Sequence, residues 1–281
     1  PNVIMSPLSF LLKPYRWLAA ISKYRATTSG GPNFAYDVCV RQIRDELLDT
    51  LDLSSWQVAF NGAEPVHAET LERFAKKFER CGFRYEAFYP CFGLAEGTLI
   101  VTGGQKNRAP VIKTLDADSL ANGTVIDAIP GTDRVRRLVS SGRIILNQKL
   151  RIVDPDTLAV CPDNKVGEIW TSSPSVAKGY WKNPKATAET FNAYTSDTHE
   201  GPFMRTGDLG FMSDGELFVT GRIKDLIIIH GVNLYPQDIE ATAQRAVPKF
   251  LRINSGGAFM IGEDNDEKLV LVQEVERRFR P

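Results

Sequence analysis

The chain has 281 residues, 43% hydrophobic and 24% charged, enough apolar material for one large domain or two smaller ones. Its 34 basic and 34 acidic side chains cancel, which excludes a broad electrostatic footprint for DNA, RNA or an anionic membrane. Cys39, Cys81, Cys91 and Cys161 are scattered with no histidine at ligand spacing, so neither a zinc site nor a disulfide framework is predicted and reduced thiols in a cytoplasmic protein are expected.

The most apolar early stretch, residues 10–21, is broken by Lys13, Pro14 and Arg16 and is too short to span a bilayer, so neither a signal peptide nor stable membrane insertion is expected. Apolar residues recur at helical spacing from Phe34 to Leu51, predicting a helix that ends near Asp52. Trp56 to Phe60 reads as a strand stopped by Asn61-Gly62, and Glu69 to Cys81 as a helix stopped by Gly82. Arg84 to Phe88 is the next predicted strand, delivering a loop over residues 90–98. Strand, loop and helix in this order make an α/β unit.

Beyond about Ser140 the texture changes to short strand candidates, residues 143–153, 167–171 and 215–220, set between Pro, Gly, Asn and Asp clusters. A smaller β-rich subdomain is predicted there. After the apolar run Leu226–Ile229 a helical pattern resumes over Pro236–Ala246, which marks the start of a further domain. The expected division is 1–138, 139–221 and 222–281.

Chemistry is concentrated in four segments. In Tyr89-Pro-Cys-Phe-Gly-Leu-Ala-Glu-Gly-Thr98, Gly93 and Gly97 permit close backbone approach, Phe92 offers a flat face to a purine, and Glu96 can hold a hard cation such as magnesium. Alone, such a segment reads as a turn with a packed Phe and a solvated Glu. It is followed by Met204-Arg-Thr-Gly-Asp-Leu-Gly210, by Gly221-Arg-Ile-Lys-Asp-Leu226 and by His230-Gly-Val-Asn-Leu-Tyr-Pro-Gln-Asp-Ile-Glu240. Asp208 can accept from both hydroxyls of a ribose, and Arg222 can donate to the ribose or its phosphate. Four segments in this order outweigh the bland reading of each.

With these residues in hand, the chain resembles the adenylate-forming superfamily of acyl-CoA synthetases, peptide-synthetase adenylation domains and luciferases. The resemblance runs over nearly the whole chain, including Gly167-Glu-Ile-Trp-Thr-Ser-Ser-Pro-Ser-Val-Ala-Lys-Gly-Tyr-Trp181. It implies that Asn61, Gly62, Ala63 and Glu64 lie along one face of the adenine and Phe92, with Gly93, Leu94 and Ala95, along the other. It implies also that Glu96 holds magnesium near the α-phosphate, that Asp208 and Arg222 hold the ribose, and that Lys224 is the hinge about which a small C-terminal domain turns. Ala95, where most relatives place Thr, together with Leu234-Tyr-Pro-Gln-Asp-Ile-Glu240, is similar to fatty acyl-AMP ligases in particular. On that likeness Gly31, Asn33 and Phe34 belong to the acyl pocket, and residues 103–138 occupy the place of an insertion that restrains the C-terminal domain.

The activity so implied is attack of a fatty-acid carboxylate on ATP, with magnesium, to give acyl-AMP, which an acyl carrier protein then accepts through its phosphopantetheine thiol. A long-chain acyl-CoA synthetase and a non-catalytic adenylation-like binding module are the alternatives. No Gly-rich loop ending in Lys is present, since Ala26-Thr-Thr-Ser-Gly-Gly-Pro32 continues without one, and no terminal Pro-Lys-x-Ser-Gly-Lys segment is seen. A fragment, inactive on its own, is therefore expected. His67 and His199 read as surface or cap residues, and His230 as a possible pantetheine contact.

Overall fold

The computed structural model describes residues 2–229, 232–247, 249–262 and 268–279. His230 and Gly231 of the fourth motif lie outside the described residues. The chain starts with α1 (Pro7–Leu12) and α2 (Tyr15–Tyr24), then β1 (Thr28–Gly30), α3 (Asn33–Gln42), β2 (Val58–Asn61), α4 (Ala68–Phe78) and β3 (Phe88–Gly93). β1 pairs with β2 and β2 with β3, both in parallel, so two helical crossovers build this part of the sheet. The sheet continues with β4 (Ile100–Gly103), antiparallel to β3.

One helix was expected over residues 34–51, but α3 ends at Gln42, Ile43 after it has an extended backbone, and residues 45–50 form a separate 3-10 turn. The apolar stripe is real, with Ile43 and Leu48 both buried, but periodicity does not register the break between them. The predicted strand at 84–88 lies further on. Residues 85–87 make a 3-10 turn and the strand runs from Phe88 to Gly93, into what was read as loop.

Residues 103–138 are ordered. β5 (Ile112–Asp116), α5 (Ala117–Ala121) and β6 (Val135–Val139) form a unit in which β5 and β6 pair antiparallel. Leu115, Leu120, Val125 and Leu138 of this unit form one buried cluster with Phe211 and Phe218. β7 (Arg143–Ile144) then closes the edge of the first sheet beside β4. A second sheet, wholly antiparallel, comprises β8 (Lys149–Val153), β9 (Gly167–Ser172), β10 (Met204–Ser213) and β11 (Glu216–Arg222) in the order β11-β10-β9-β8, with α6 (Pro184–Phe191) before β10. The hairpin β12 (Ile227–Ile229) and β13 (Val232–Leu234), helix α7 (Pro236–Ala246) and the hairpin β14 (Leu251–Ile261) and β15 (Lys268–Val275) follow.

The main core lies under the parallel strands. Tyr36, Trp56, Phe74 and Phe88 are essentially fully buried and meet edge-on or stacked, with Phe74 and Phe78 delivered by the apolar face of α4. Each such ring removes about 150–250 Å² from water, so this cluster dominates the stability of the first sheet. Among the described residues no helix is long and apolar enough to cross a membrane, and the four cysteines are free.

Candidate functional site

The carboxyl ends of parallel strands are where open α/β sheets leave room for ligands. Three of the expected segments emerge there. β1 releases Gly31, Asn33 and Phe34; β2 ends in Asn61 and releases Gly62, Ala63 and Glu64; β3 ends in Phe92 and Gly93 and releases Leu94, Ala95 and Glu96.

The first two segments are tied together. Asn33 is 1% exposed, and its side chain donates to Pro65 O at 2.8 Å while accepting from His67 N at 3.1 Å and from Asn61 Nδ2 at 3.2 Å. The backbone N–H of Asn33, in the first turn of α3, donates to Glu64 Oε1 at 2.8 Å, so the carboxylate sits where the helix dipole favours negative charge. Gly62 packs so closely that a Cβ would meet Cys91 O at 2.7 Å. Asn33, expected in the acyl pocket, thus spends its hydrogen bonds bracing the loop at 61–67. Asn61 is wholly buried behind that loop, and Phe34 is exposed, with an edge-on contact to Phe10.

At the end of β3, Phe92 is 9% exposed and packs with Val101, Leu150, Ile152, Ile169 and Leu217. Only glycine fits at Gly93, since a Cβ there would collide with the carbonyl of Leu99. Ala95 to Gly97 make a 3-10 turn, fastened to the segment before α6. Ala177 N donates to Glu96 O at 2.7 Å, Thr98 Oγ1 to Ser175 O at 2.6 Å, and Tyr180 Oη to Glu96 Oε1 at 2.8 Å. Burial, and secondarily the hydrogen bond to Glu96, pushes the Tyr180 phenol up from its ordinary value. Glu96 Oε2 keeps no protein hydrogen bond among the described residues.

The remaining pair comes from the second sheet. Asp208 of β10 stands opposite Arg222 of β11, with Arg222 Nε 2.9 Å from Asp208 Oδ1. Asp208 is buried and Arg222 largely exposed. Burial pushes the Asp208 carboxyl up from its ordinary value against the opposing pull of Arg222. Lys224 follows in an exposed 3-10 turn.

A cavity of about 230 Å³ unites the two sheets at this point, lined by Ala63, Glu64, Phe92, Gly93, Asp208 and Arg222 of the expected residues. Pro65, Cys91, Ser141, Val219, Gly221, Asp225 and Gln237 complete its wall. Burial raises the Cys91 thiol to about 11, which makes it an inert wall residue. Gly31, Asn33, Phe34, Asn61, Gly62, Leu94, Ala95, Glu96 and Lys224 are not part of the wall. A separate space of about 160 Å³, among Phe88, Pro90, Arg108, Arg143 and Glu216, contains none of the expected residues.

Sequence reasoning missed Ser141, Gln237 and Tyr180. Gln237 stands within the fourth segment but was not singled out there, and nothing beside Ser141 marks it. Tyr180 is 84 residues from the carboxylate it touches, and only its place in a motif of recognisable type was a usable signal.

Comparison with known proteins gives a consistent result. The family model described as AMP-binding enzyme matches residues 1–181. The chain is 49% identical to the medium-chain-fatty-acid acyl-carrier-protein ligase JamA of Moorena producens, over 100% of this chain and 48% of that protein, and 43% identical to the corresponding ligase TtuA of Teredinibacter turnerae, over 87% and 39%. Among solved structures, the fatty acid AMP ligase of Legionella pneumophila matches with a TM-score of 0.77 and 49% identity, over 99% of this chain and 48% of that one. A structure from work on fatty acyl-adenylate ligases of E. coli and L. pneumophila matches with a TM-score of 0.86 and 36% identity, over 96% and 46%. The chain therefore spans about half the length of the curated relatives it matches.

Proposed function

Because the chain belongs to the AMP-binding enzyme family, we propose that it serves the ATP-dependent activation of a fatty acid to acyl-AMP, with transfer of the acyl group to the phosphopantetheine thiol of a holo acyl carrier protein. The observation that carries this reading is the cavity in which the 63–65 loop, the end of β3 and the Asp208–Arg222 pair converge. At about 230 Å³ it is smaller than the roughly 300–1,000 Å³ of typical ligand pockets, and suits the nucleoside end of a longer groove. The names of the relatives, ligases of fatty acids and of carrier protein, support the choice of substrate and acceptor.

In the reaction, a carboxylate oxygen of the fatty acid attacks the α-phosphorus. A new O–P bond forms as the bond to the pyrophosphate oxygen breaks, and pyrophosphate leaves. The protein's part is positioning. The backbone at Ala63 and Glu64 and the ring of Phe92 take the two adenine faces, Asp208 accepts from the ribose hydroxyls, and Arg222 opposes the effect of burial on the Asp208 carboxyl while donating towards the ribose. Gly31, Asn33 and Phe34 stand at the β1 end as the acyl side, with Asn33 acting through the loop it braces. Lys224 is the hinge for the residues that follow.

Magnesium is the family's metal. Glu96 fits it, because a half-buried carboxylate with one oxygen fixed by Tyr180 and the other unbonded suits an ion held chiefly by substrate phosphates and water. When bound there, the ion would offset charge between two anions. Free cysteines accord with a cytoplasmic setting.

The test is acyl-AMP formation with ATP, magnesium and a series of fatty acids, by the protein expressed to the full extent of its gene, followed by holo carrier protein or coenzyme A. Transfer to the carrier protein alone is expected. Efficient acyl-CoA formation would reassign it to the synthetases, and folded protein that makes no adenylate would leave a binding module.

A further inference from the structure

Resting on the nucleotide reading above, we propose that Glu168 is a positioning residue for ribose recognition, acting by holding the bulge of β10 that aims Asp208 into the cavity. The register shows the irregularity. Arg205 pairs with Trp170 and Leu209 with Glu168, so three residues of β10, Thr206, Gly207 and Asp208, stand opposite the single residue Ile169 of β9. A bulge of this kind frees backbone groups that must find other partners when buried.

Two of the bulge's amides find theirs locally. Gly207 takes a positive φ of 73°, the conformation that favours glycine, and its N–H donates to Glu168 Oε1 at 3.1 Å. Thr206 Oγ1 donates to Ile169 O at 2.7 Å and accepts from Asp208 N at 3.1 Å. Glu168 itself is 2% exposed, and its other oxygen accepts from Trp170 Nε1 and Arg205 Nε, both at 2.9 Å. A buried carboxylate within a strand is costly unless fully partnered, and one of its partners here is the amide immediately before the ribose-binding candidate. The bulge turns Asp208 towards Arg222 and the cavity, where regular pairing would not place three residues against one.

Calorimetric titration of the protein expressed to the full extent of its gene, with AMP and with 2′,3′-dideoxyAMP, tests this. The native chain is expected to prefer AMP by about tenfold or more, the size of charge-assisted hydrogen bonds to the hydroxyls. Glu168→Gln puts an amide N–H₂ against donors. It is expected to weaken AMP about tenfold while leaving dideoxyAMP within about twofold, so that the preference collapses. Thr206→Val, nearly isosteric, reads the same bulge from its other side and decides the matter if Glu168→Gln loses its near-ultraviolet circular dichroism. Equal weakening of both nucleotides, or an unchanged preference, would overturn the proposal and leave Glu168 a structural ion pair. Failure of the native gene-length protein to bind AMP at all would instead remove the nucleotide reading on which it stands.

Discussion

Replacing Asp208 by Asn separates binding from stability. The carboxyl is buried beside a guanidinium that is 66% exposed, so the ion pair contributes no more than about 1 kcal/mol. Burial raises the carboxyl above its ordinary value, which means that the ionised form is a net burden on the fold. Asn removes that burden at nearly constant volume, so the melting temperature is expected to hold or rise by about 2–4 °C, the shift that 1 kcal/mol gives in a domain of this size. AMP affinity is expected to move the other way. A carboxylate that accepts from two hydroxyls contributes about 1.5–3 kcal/mol per bond, and Asn keeps one acceptor, so a loss of about 2 kcal/mol, roughly thirtyfold, follows.

The pH dependence has the same two signs. A raised carboxyl pKa makes the folded chain bind more protons than the unfolded chain between the two pKa values, so stability increases as pH falls through that window, above the ordinary value of about 3.9. AMP affinity decreases over the same window, and Asp208→Asn flattens both limbs. Scanning calorimetry and titration calorimetry on one preparation read these quantities. A lowered melting temperature with unchanged AMP affinity would refute the reasoning and make Asp208 a structural anchor.

Asn33→Ala leaves Asn61 Nδ2, His67 N and Pro65 O without their partner and is expected to cost about 2–4 kcal/mol in urea unfolding. Tyr180→Phe removes one hydrogen bond to Glu96 at a partly exposed ring; a change in stability below about 1 kcal/mol is expected, with a measurable shift in Mn²⁺ affinity by electron paramagnetic resonance in the presence of nucleotide. Arg136 of β6 donates to Thr220 O at 2.9 Å, pairs with Asp238 of α7 at 3.1 Å and lies 4.2 Å from the Tyr235 ring centroid. Arg136→Ala is therefore expected to speed hydrogen exchange in residues 235–246 while leaving the β2 and β3 amides protected, and equal loosening of both would show that Arg136 serves the whole fold.

The α/β class was legible in the sequence because helices such as α4 carry their buried face at a fixed spacing, Leu71, Phe74 and Phe78. Breaks were not legible, since the apolar stripe continues from Ile43 to Leu48 across a change of backbone that periodicity does not record. Of the candidate site, Asp208, Arg222, Phe92 and the 61–64 loop were singled out because their chemistry is local to short motifs, and six expected residues, Ala63, Glu64, Phe92, Gly93, Asp208 and Arg222, line one cavity. Glu168, Tyr180 and Ser141 were not singled out. Their importance lies in partners 39 to 84 residues away, and a single sequence gives no sign of such pairings except a charged residue, Glu168, in an otherwise strand-like run.

The placement of the cavity gives a reason for these distant contacts. One half of its wall comes from the ends of parallel strands and the other from a bulged antiparallel strand, so its shape depends on how two separately built sheets are fixed together. The fastenings are polar and specific: Thr102 Oγ1 to Ser141 O at 2.8 Å, Ser141 N to Leu217 O at 2.7 Å, and Ala177 N to Glu96 O at 2.7 Å. Apolar packing at the junction, through Phe92 and Leu217, is nondirectional and would tolerate sliding. Hydrogen bonds of fixed length and angle do not. These polar contacts are thus what hold the Asp208 carboxylate of one sheet in register with Phe92 and Gly93 of the other, the alignment on which the proposed nucleotide site depends.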